Sequence, residues 1–176
     1  TLGTPGTSGL PDLQKLSSIA IDASETGAIT IGDLGSSTPV DNLLSLAMAT
    51  KGAPINIGSI SAKKIDSIVV SGTEFSSINI GSITIEEAIV GLTLSGAGDI
   101  NVGSFSGDGT VKLDASSMSK KGISLNFSAL KGSVDVTTTN QNDQVSLGVG
   151  SGKVISGAGD DTISIAANAT GNADIR

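Results

Sequence analysis

The sequence predicts an all-β chain wound as a parallel β-solenoid, and three observations predict it. A phrase recurs almost evenly: Ile55-Asn-Ile-Gly-Ser-Ile, Ile78-Asn-Ile-Gly-Ser-Ile and Ile100-Asn-Val-Gly-Ser-Phe. Fainter copies begin at Ile123 (Ile-Ser-Leu-Asn-Phe) and at Val145 (Val-Ser-Leu-Gly-Val), on the same beat. Repetition at a period of roughly 22 residues marks stacked supersecondary units. Each copy alternates apolar and small polar residues, the period-2 pattern of a strand with one buried face. The 24 glycines, with abundant Ser, Thr and Asn, supply the tight turns that winding requires.

Composition narrows the chemistry. The 176 residues include no His, Cys, Trp or Tyr and only three Phe. Zinc sites of the usual kind, Cys or Ser/His nucleophiles and disulfides therefore drop out. Acid–base work would rest on carboxylates and Lys alone, and no enzyme is expected. Of the 17 acidic residues 13 are Asp, and short carboxylates in turns suit calcium. The ten basic residues are scattered, so no nucleic-acid footprint is expected. No apolar stretch reaches membrane-spanning length, and no signal peptide is seen. Because the chain begins at Thr1 and stops abruptly at Arg176, it reads as a processed product or an excised piece of something longer.

The elements follow in order. Residues 1–18 form an N-terminal extension or cap, in which Leu10, Leu13 and Leu16 would make a short helical turn over the open core. Strands are expected at Ile19 and Ile21, then at Ile29 and Ile31 after a polar turn. The next coil, from Ile29 to Ile55, is longer than the rest, and a helix over residues 39–51 would account for the excess. Pro39 after Thr38 suits a helix start, and Val40, Leu43, Leu44, Ala47 and Met48 share one helical face. Such a helix would pack on the solenoid as a lid. From Ile55 onward each coil carries a second strand, at residues 65–70, 88–94, 109–113 and 133–136. The solenoid with its helix spans residues 19–137. At roughly 4.8 Å between stacked strands, six or seven coils make a rod about 30 Å tall.

Towards the C-terminus, over residues 138–176, the period shortens. Val145, Val154 and Ile163 lie nine residues apart. Ser156-Gly-Ala-Gly-Asp-Asp-Thr-Ile-Ser fits the nonapeptide G-G-x-G-x-D-x-U-x, where U is a large apolar residue, with Ser for the first Gly. Here the sequence resembles the RTX (repeats-in-toxin) family of calcium-binding β-rolls. A degenerate partner, Thr138-Thr-Asn-Gln-Asn-Asp-Gln-Val-Ser, starts two nonapeptides upstream and keeps the Asp and the apolar residue without the glycines. In that family two nonapeptides complete one turn. The resemblance therefore implies that Asp143 and Asp161 share one edge of neighbouring coils, with Ca2+ between them. Asp161 and the carbonyls around Gly157 and Gly159 would take one side of the ion and Asp143 the other. Asn140, Asn142 and Asp160 are further oxygen donors that the motif does not fix. The alternative is a vestigial repeat whose Asp side chains cap their own turns.

Other constellations carry less. Glu86 and Glu87 are strand neighbours that should face opposite ways. Ser95-Gly-Ala-Gly-Asp99 and Ser106-Gly-Asp-Gly lack the ligand Asp and read as plain turns. Lys63-Lys64 and Lys120-Lys121 sit in turns where they could reach an anionic cell-surface glycan.

Taken as a style of sequence, the chain resembles the RTX-containing surface-layer (S-layer) proteins of bacteria such as Caulobacter and Campylobacter. That resemblance implies a secreted, calcium-binding structural protein on the bacterial cell surface, with self-association into a lattice or filament as its partnership and no membrane insertion. Two other functions remain open: a binding module of a large type I secreted RTX adhesin, and a polysaccharide-active β-helix with a groove beside Asp99 or Asp143.

Overall fold

The computed structural model describes residues 18–23, 27–35, 40–73 and 76–176. Their architecture is all-β, with parallel strands stacked as a β-solenoid of about six turns, about 22 residues apart. In chain order the strands are β1 (Ser18–Ala23), β2 (Ile29–Ile31), β3 (Val40–Thr50), β4 (Ile55–Gly72), β5 (Ser77–Gly96), β6 (Asp99–Gly107) and β7 (Thr110–Met118). There follow β8 (Ser124–Phe127), β9 (Ala129–Leu130), β10 (Val134–Thr137), β11 (Gln144–Leu147), β12 (Gly152–Ile155), β13 (Thr162–Ile165) and β14 (Ala173–Ile175). One sheet runs β1-β3-β4-β5-β7-β10-β12-β14, with β2, β6 and β9 attached to it, and a second runs β13-β11-β8.

The recurring phrase specifies a rung position by position. Ile55, Ile78 and Ile100 are register partners, as are Ile57, Ile80 and Val102, and all six are buried. Between them Asn56, Asn79 and Asn101 align outside. Asn79 Nδ2 donates to Asn56 Oδ1 at 2.9 Å, and Asn101 Nδ2 donates to Asn79 Oδ1 at 2.9 Å. The glycine of the phrase is a packing requirement. A methyl group at Gly81 would lie 2.1 Å from the Gly58 carbonyl oxygen, and one at Gly103 would lie 1.9 Å from that of Gly81. Only a residue without Cβ lets the corners of successive coils approach so closely.

One apolar row crosses the whole of the long sheet, although the register slips locally beside it in the β4–β5 and β5–β7 pairs. Ile19, Leu46, Ile68, Leu92, Leu113, Val136, Val154 and Ile175 are consecutive partners, one from each strand of the main path. Leu46 to Val154 in this row are buried. Shifting a strand by one residue would move its apolar set to the solvent face, so this row pins the stack. The rings of Phe105 and Phe127 also stack in the core, with centroids 4.6 Å apart.

Three sequence expectations change. Residues 40–50 of the expected helix 39–51 form β3, paired in parallel with β1 on one side and β4 on the other; Pro39 lies outside the described residues. Its burial alternates, with Leu46, Met48 and Thr50 inside and Ala47 exposed. An apolar run of this kind satisfies either period. What decides is the pair of neighbouring strands, whose backbone groups β3 satisfies and a helix would leave open. The fainter copy at Val145 aligns with Leu125 rather than Ile123, so the coil between them is shorter than the phrase suggests. Glu86 and Glu87 are both exposed, because they fall where the β4–β5 register slips by one between Ala62 and Lys64. Of the expected cap over residues 1–18, Ser18 opens β1, and the rest, including Leu10, Leu13 and Leu16, lies outside the described residues.

Candidate metal centre at the coil edge

Two turns on one edge of the solenoid contain every residue that the sequence marks for metal binding. The first, residues 138–143, joins β10 to β11; the second, residues 156–161, joins β12 to β13. On both sides the flanking strands pair each position with the one two nonapeptides further on, so each turn position lies over its counterpart. The tightening of the coil expected here is what the register gives. Gly157 and Gly159 have φ of 81° and 123°, a left-handed backbone that suits glycine. They also sit close on the turn beneath: a methyl at Gly157 would lie 2.0 Å from the Thr139 carbonyl oxygen.

The carboxylates come together in a directed way. Asp161 Oδ1 accepts the backbone N–H of Asp143 at 3.0 Å. Asp143 Oδ1 in turn accepts the N–H of Ile123 at 2.7 Å, and Asp143 aligns with Ile123 in the next coil down. Thr139 completes the set, its N–H donating to Asp143 Oδ2 at 2.9 Å and its hydroxyl contacting both oxygens at 2.9 and 3.1 Å. Asp143 is 1 % exposed, so these donors stand where water would. Hydrogen bonds to a charged acceptor are the strong kind, and each stabilises by roughly 1.5–3 kcal/mol. Sequence alone does not single out Thr139 or Ile123 as partners of Asp143. The signal available was the short spacing from Thr139 to Asp143, which lets a turn close on its own carboxylate.

The same device appears at the other end of the molecule, where Ser59 N–H donates to Asp33 Oδ1 at 2.7 Å across one coil. Asn142 works in parallel with Asp143, its Oδ1 accepting the N–H of Asp160 at 2.9 Å.

Calcium needs six to eight oxygens at roughly 2.3–2.6 Å. Asp143 does not fit that demand, since both of its oxygens are engaged by buried donors. Asp161 fits better: Oδ1 holds one amide and the side chain is only partly buried. Asp160, Asn140 and Asn142 are exposed on the same edge. Among the described residues no group of three or more Asp, Glu, His or Cys side chains is placed to hold a metal.

The lysines considered for glycan binding are engaged. Lys64 Nζ lies 2.7 Å from Asp66 Oδ1, and Lys121 pairs with Asp99. The Asp66 carboxylate holds the Lys64 ammonium above its ordinary pKa, first through their hydrogen bond and then through its charge. A groove on the outer surface lies beside neither Asp99 nor Asp143. It is an open depression of about 250 Å3 on the outer face of β5, β7 and β10, lined by Thr93, Lys112, Asp114, Asp135 and Thr137 among others. Across that face runs an alternating row of charges, Lys112, Asp135, Lys153 and Asp174, each the register partner of the next.

The fold and the edge define a parallel β-solenoid with carboxylate-clamped coils. No protein-family model, curated protein or solved structure matches the chain.

Proposed function

We propose that this chain is a structural segment of a protein on the bacterial cell surface, a stiff length of solenoid rather than a catalytic unit. The observation that carries this reading is the apolar row from Ile19 to Ile175, whose members pair one to the next through eight strands. A quasi-one-dimensional stack of this kind ties each coil to its neighbours and extends in one direction. The alternating row Lys112, Asp135, Lys153 and Asp174 keeps that face hydrophilic with both signs of charge interspersed.

Within this reading calcium is held on the outer side of the coil edge by Asp161 and Asp160 with the turn carbonyls around Gly157 and Gly159. Asp143 serves beneath them as a backbone clamp. A bound ion would cancel the repulsion between Asp160 and Asp161 and add stability by linkage. The test is calcium titration followed by circular dichroism, thermal melting and electron microscopy. A melting temperature that rises with calcium and falls back with chelator supports the metal. No response to millimolar calcium removes it and leaves the structural role standing. Ordered sheets or filaments support the surface-layer reading.

The groove at Thr93 and Thr137 favours a second reading, a binding module of a large secreted adhesin. Monomeric behaviour with or without calcium, together with binding to a cell-surface ligand that is lost on Thr93→Arg, would select it.

A further inference from the structure

Gly91 differs from the other described glycines inside strands. It alone has neither a left-handed backbone nor a crowded neighbour, since a methyl there would meet nothing closer than the Asp66 carbonyl oxygen at 3.9 Å. Neither turn geometry nor packing against the next coil therefore requires a glycine. A glycine inside a strand also marks a bulge, or a place where something approaches the backbone closely. Gly91 does sit in a bulge: Val90 and Gly91 together stand opposite Lys112, where the β5–β7 register slips between Ile89 and Leu92. A compensating slip follows between Thr93 and Ser95, so that Leu94 stands opposite Ala115 and Ser116. The two bulges bracket the depression of about 250 Å3 on the outer face of β5, β7 and β10, and Gly91 lines it. The absent side chain keeps that space open.

The polar groups around this space are underused. Thr93, Asp114 and Thr137 are register partners in one row, and Lys112 and Asp135 are partners in the row two residues earlier. Asp114 Oδ1 accepts the Ser116 N–H at 2.9 Å and its hydroxyl at 2.6 Å, which fixes the carboxylate and leaves Oδ2 open. Asp135 Oδ1 lies 3.7 Å from Lys153 Nζ, a loose pair. Among the described residues Lys112 has no ion-pair partner within 4 Å, and the hydroxyls of Thr93 and Thr137 make no hydrogen bond. The charges cancel, with Lys112 and Lys153 against Asp114 and Asp135. An anion entering here would meet two carboxylates, and a cation would meet the Lys112 ammonium beside them.

We infer that this depression binds an uncharged sugar unit of a glycan. Sugar hydroxyls both donate and accept, so one ring satisfies carboxylate acceptors, an ammonium donor and two threonine hydroxyls together. The volume is below the roughly 300–1,000 Å3 of sites for drug-sized molecules, which suits a single ring. Val69, the register partner of Thr93 in β4, is 43 % exposed and offers an apolar contact at the rim for ring C–H groups. Both polar rows cross the strands at roughly 4.8 Å per step, so a linear glycan lies along the solenoid axis. The inference rests on the binding-module reading above and supplies its ligand class.

The test applies this 176-residue chain to an array of neutral, acidic and amino-sugar oligosaccharides, then titrates the neutral probes that bind into 15N-labelled chain by NMR. Binding of neutral probes is expected, with shifts centred on Thr93, Lys112 and Thr137. Gly91→Leu fills the depression and should weaken binding at least about tenfold. Lys112→Met should weaken it by a similar factor, and Lys112→Arg should retain most of it, since it keeps a charged donor. Circular dichroism and thermal melts confirm that each variant still folds. Three results overturn the inference: no neutral probe binds at millimolar concentration, only acidic or amino sugars bind, or binding survives both Gly91→Leu and Lys112→Met. Attachment of the chain to intact cells separates the two proposals. Attachment lost on Thr93→Arg without binding to any neutral probe removes the sugar and leaves the adhesin reading. Neutral-probe binding lost on Gly91→Leu, with no attachment to cells, removes the adhesin reading and leaves the sugar site.

Discussion

The backbone N–H of Asp143 is held by the carboxylate of Asp161 at 3.0 Å, while the carboxylate of Asp143 holds the backbone N–H of Ile123 at 2.7 Å. Three residues stacked in successive coils are thus linked by side chains reaching to the main chain of the coil beneath. At these positions the ladder of a strand has ended, and the Asp side chain takes over its role.

Removing the Asp143 side chain should therefore destabilise more than removing that of Asp161. Asp143→Ala leaves the buried amides of Ile123 and Thr139 without acceptors, at roughly 1–3 kcal/mol each. Asp143→Asn keeps one acceptor oxygen and should lose less. Asp161→Ala leaves only the amide of Asp143 without its acceptor and should cost about 1 kcal/mol. Urea denaturation of the three variants gives the order; equal losses would show that Asp143 is not the hub.

Glycines of the repeated phrase differ in what they tolerate from glycines elsewhere in the coil. Gly81→Ala forces a methyl group to within 2.1 Å of the Gly58 carbonyl oxygen, so backbone must move, and a loss above about 2 kcal/mol is expected. At Gly91 the nearest atom to such a methyl is the Asp66 carbonyl oxygen at 3.9 Å, so Gly91→Ala should fold with little loss. Thermal melts of the two variants check the contrast.

The amide row predicts a position effect along one face. Asn79 bonds to both Asn56 and Asn101, whereas Asn101 bonds within the row to Asn79 alone. Asn79→Ala should lose about twice what Asn101→Ala loses, each bond contributing roughly 0.5–1.5 kcal/mol. Equilibrium unfolding of both variants tests the ratio.

Lys64 supplies a pH dependence with a definite sign. Its pKa is raised above 10.5 in the folded chain by the Asp66 carboxylate. A group with a raised folded pKa contributes fully below its unfolded pKa and loses that contribution as pH rises through the folded value. Wild type and Lys64→Met should thus keep a constant stability difference from neutral pH to about pH 9.5, narrowing only at more alkaline pH. The pair is solvent-exposed and the difference small. NMR titration of the Lys64 side chain reads the shift directly, and a midpoint below 10.5 would contradict the pairing.

Much of this molecule was legible in its residues because a solenoid is periodic. The spacing of Ile55, Ile78 and Ile100 sets the coil, the alternation within each phrase sets which side faces in, and the nine-residue beat from Val145 to Ile163 sets the tighter final turns. The apolar run across residues 40–50 was not legible, since Leu43, Leu44, Ala47 and Met48 suit a helical face as well as a strand. The register at Val145 was also beyond reach, because the coil there shortens and similar-looking phrases no longer align.

At the candidate site the sequence placed Asp143 and Asp161 on one edge but did not reveal what Asp143 grips. A carboxylate in a turn can hold an ion or hold amides, and its identity is the same in both cases. By itself the amino-acid sequence determined winding, period and the inward apolar rows, which follow from local alternation and repetition. Only the tertiary structure decided that residues 40–50 are a strand and that Asp143 is a clamp. Both outcomes depend on backbone groups in neighbouring coils that need a partner, and those neighbours are distant along the chain.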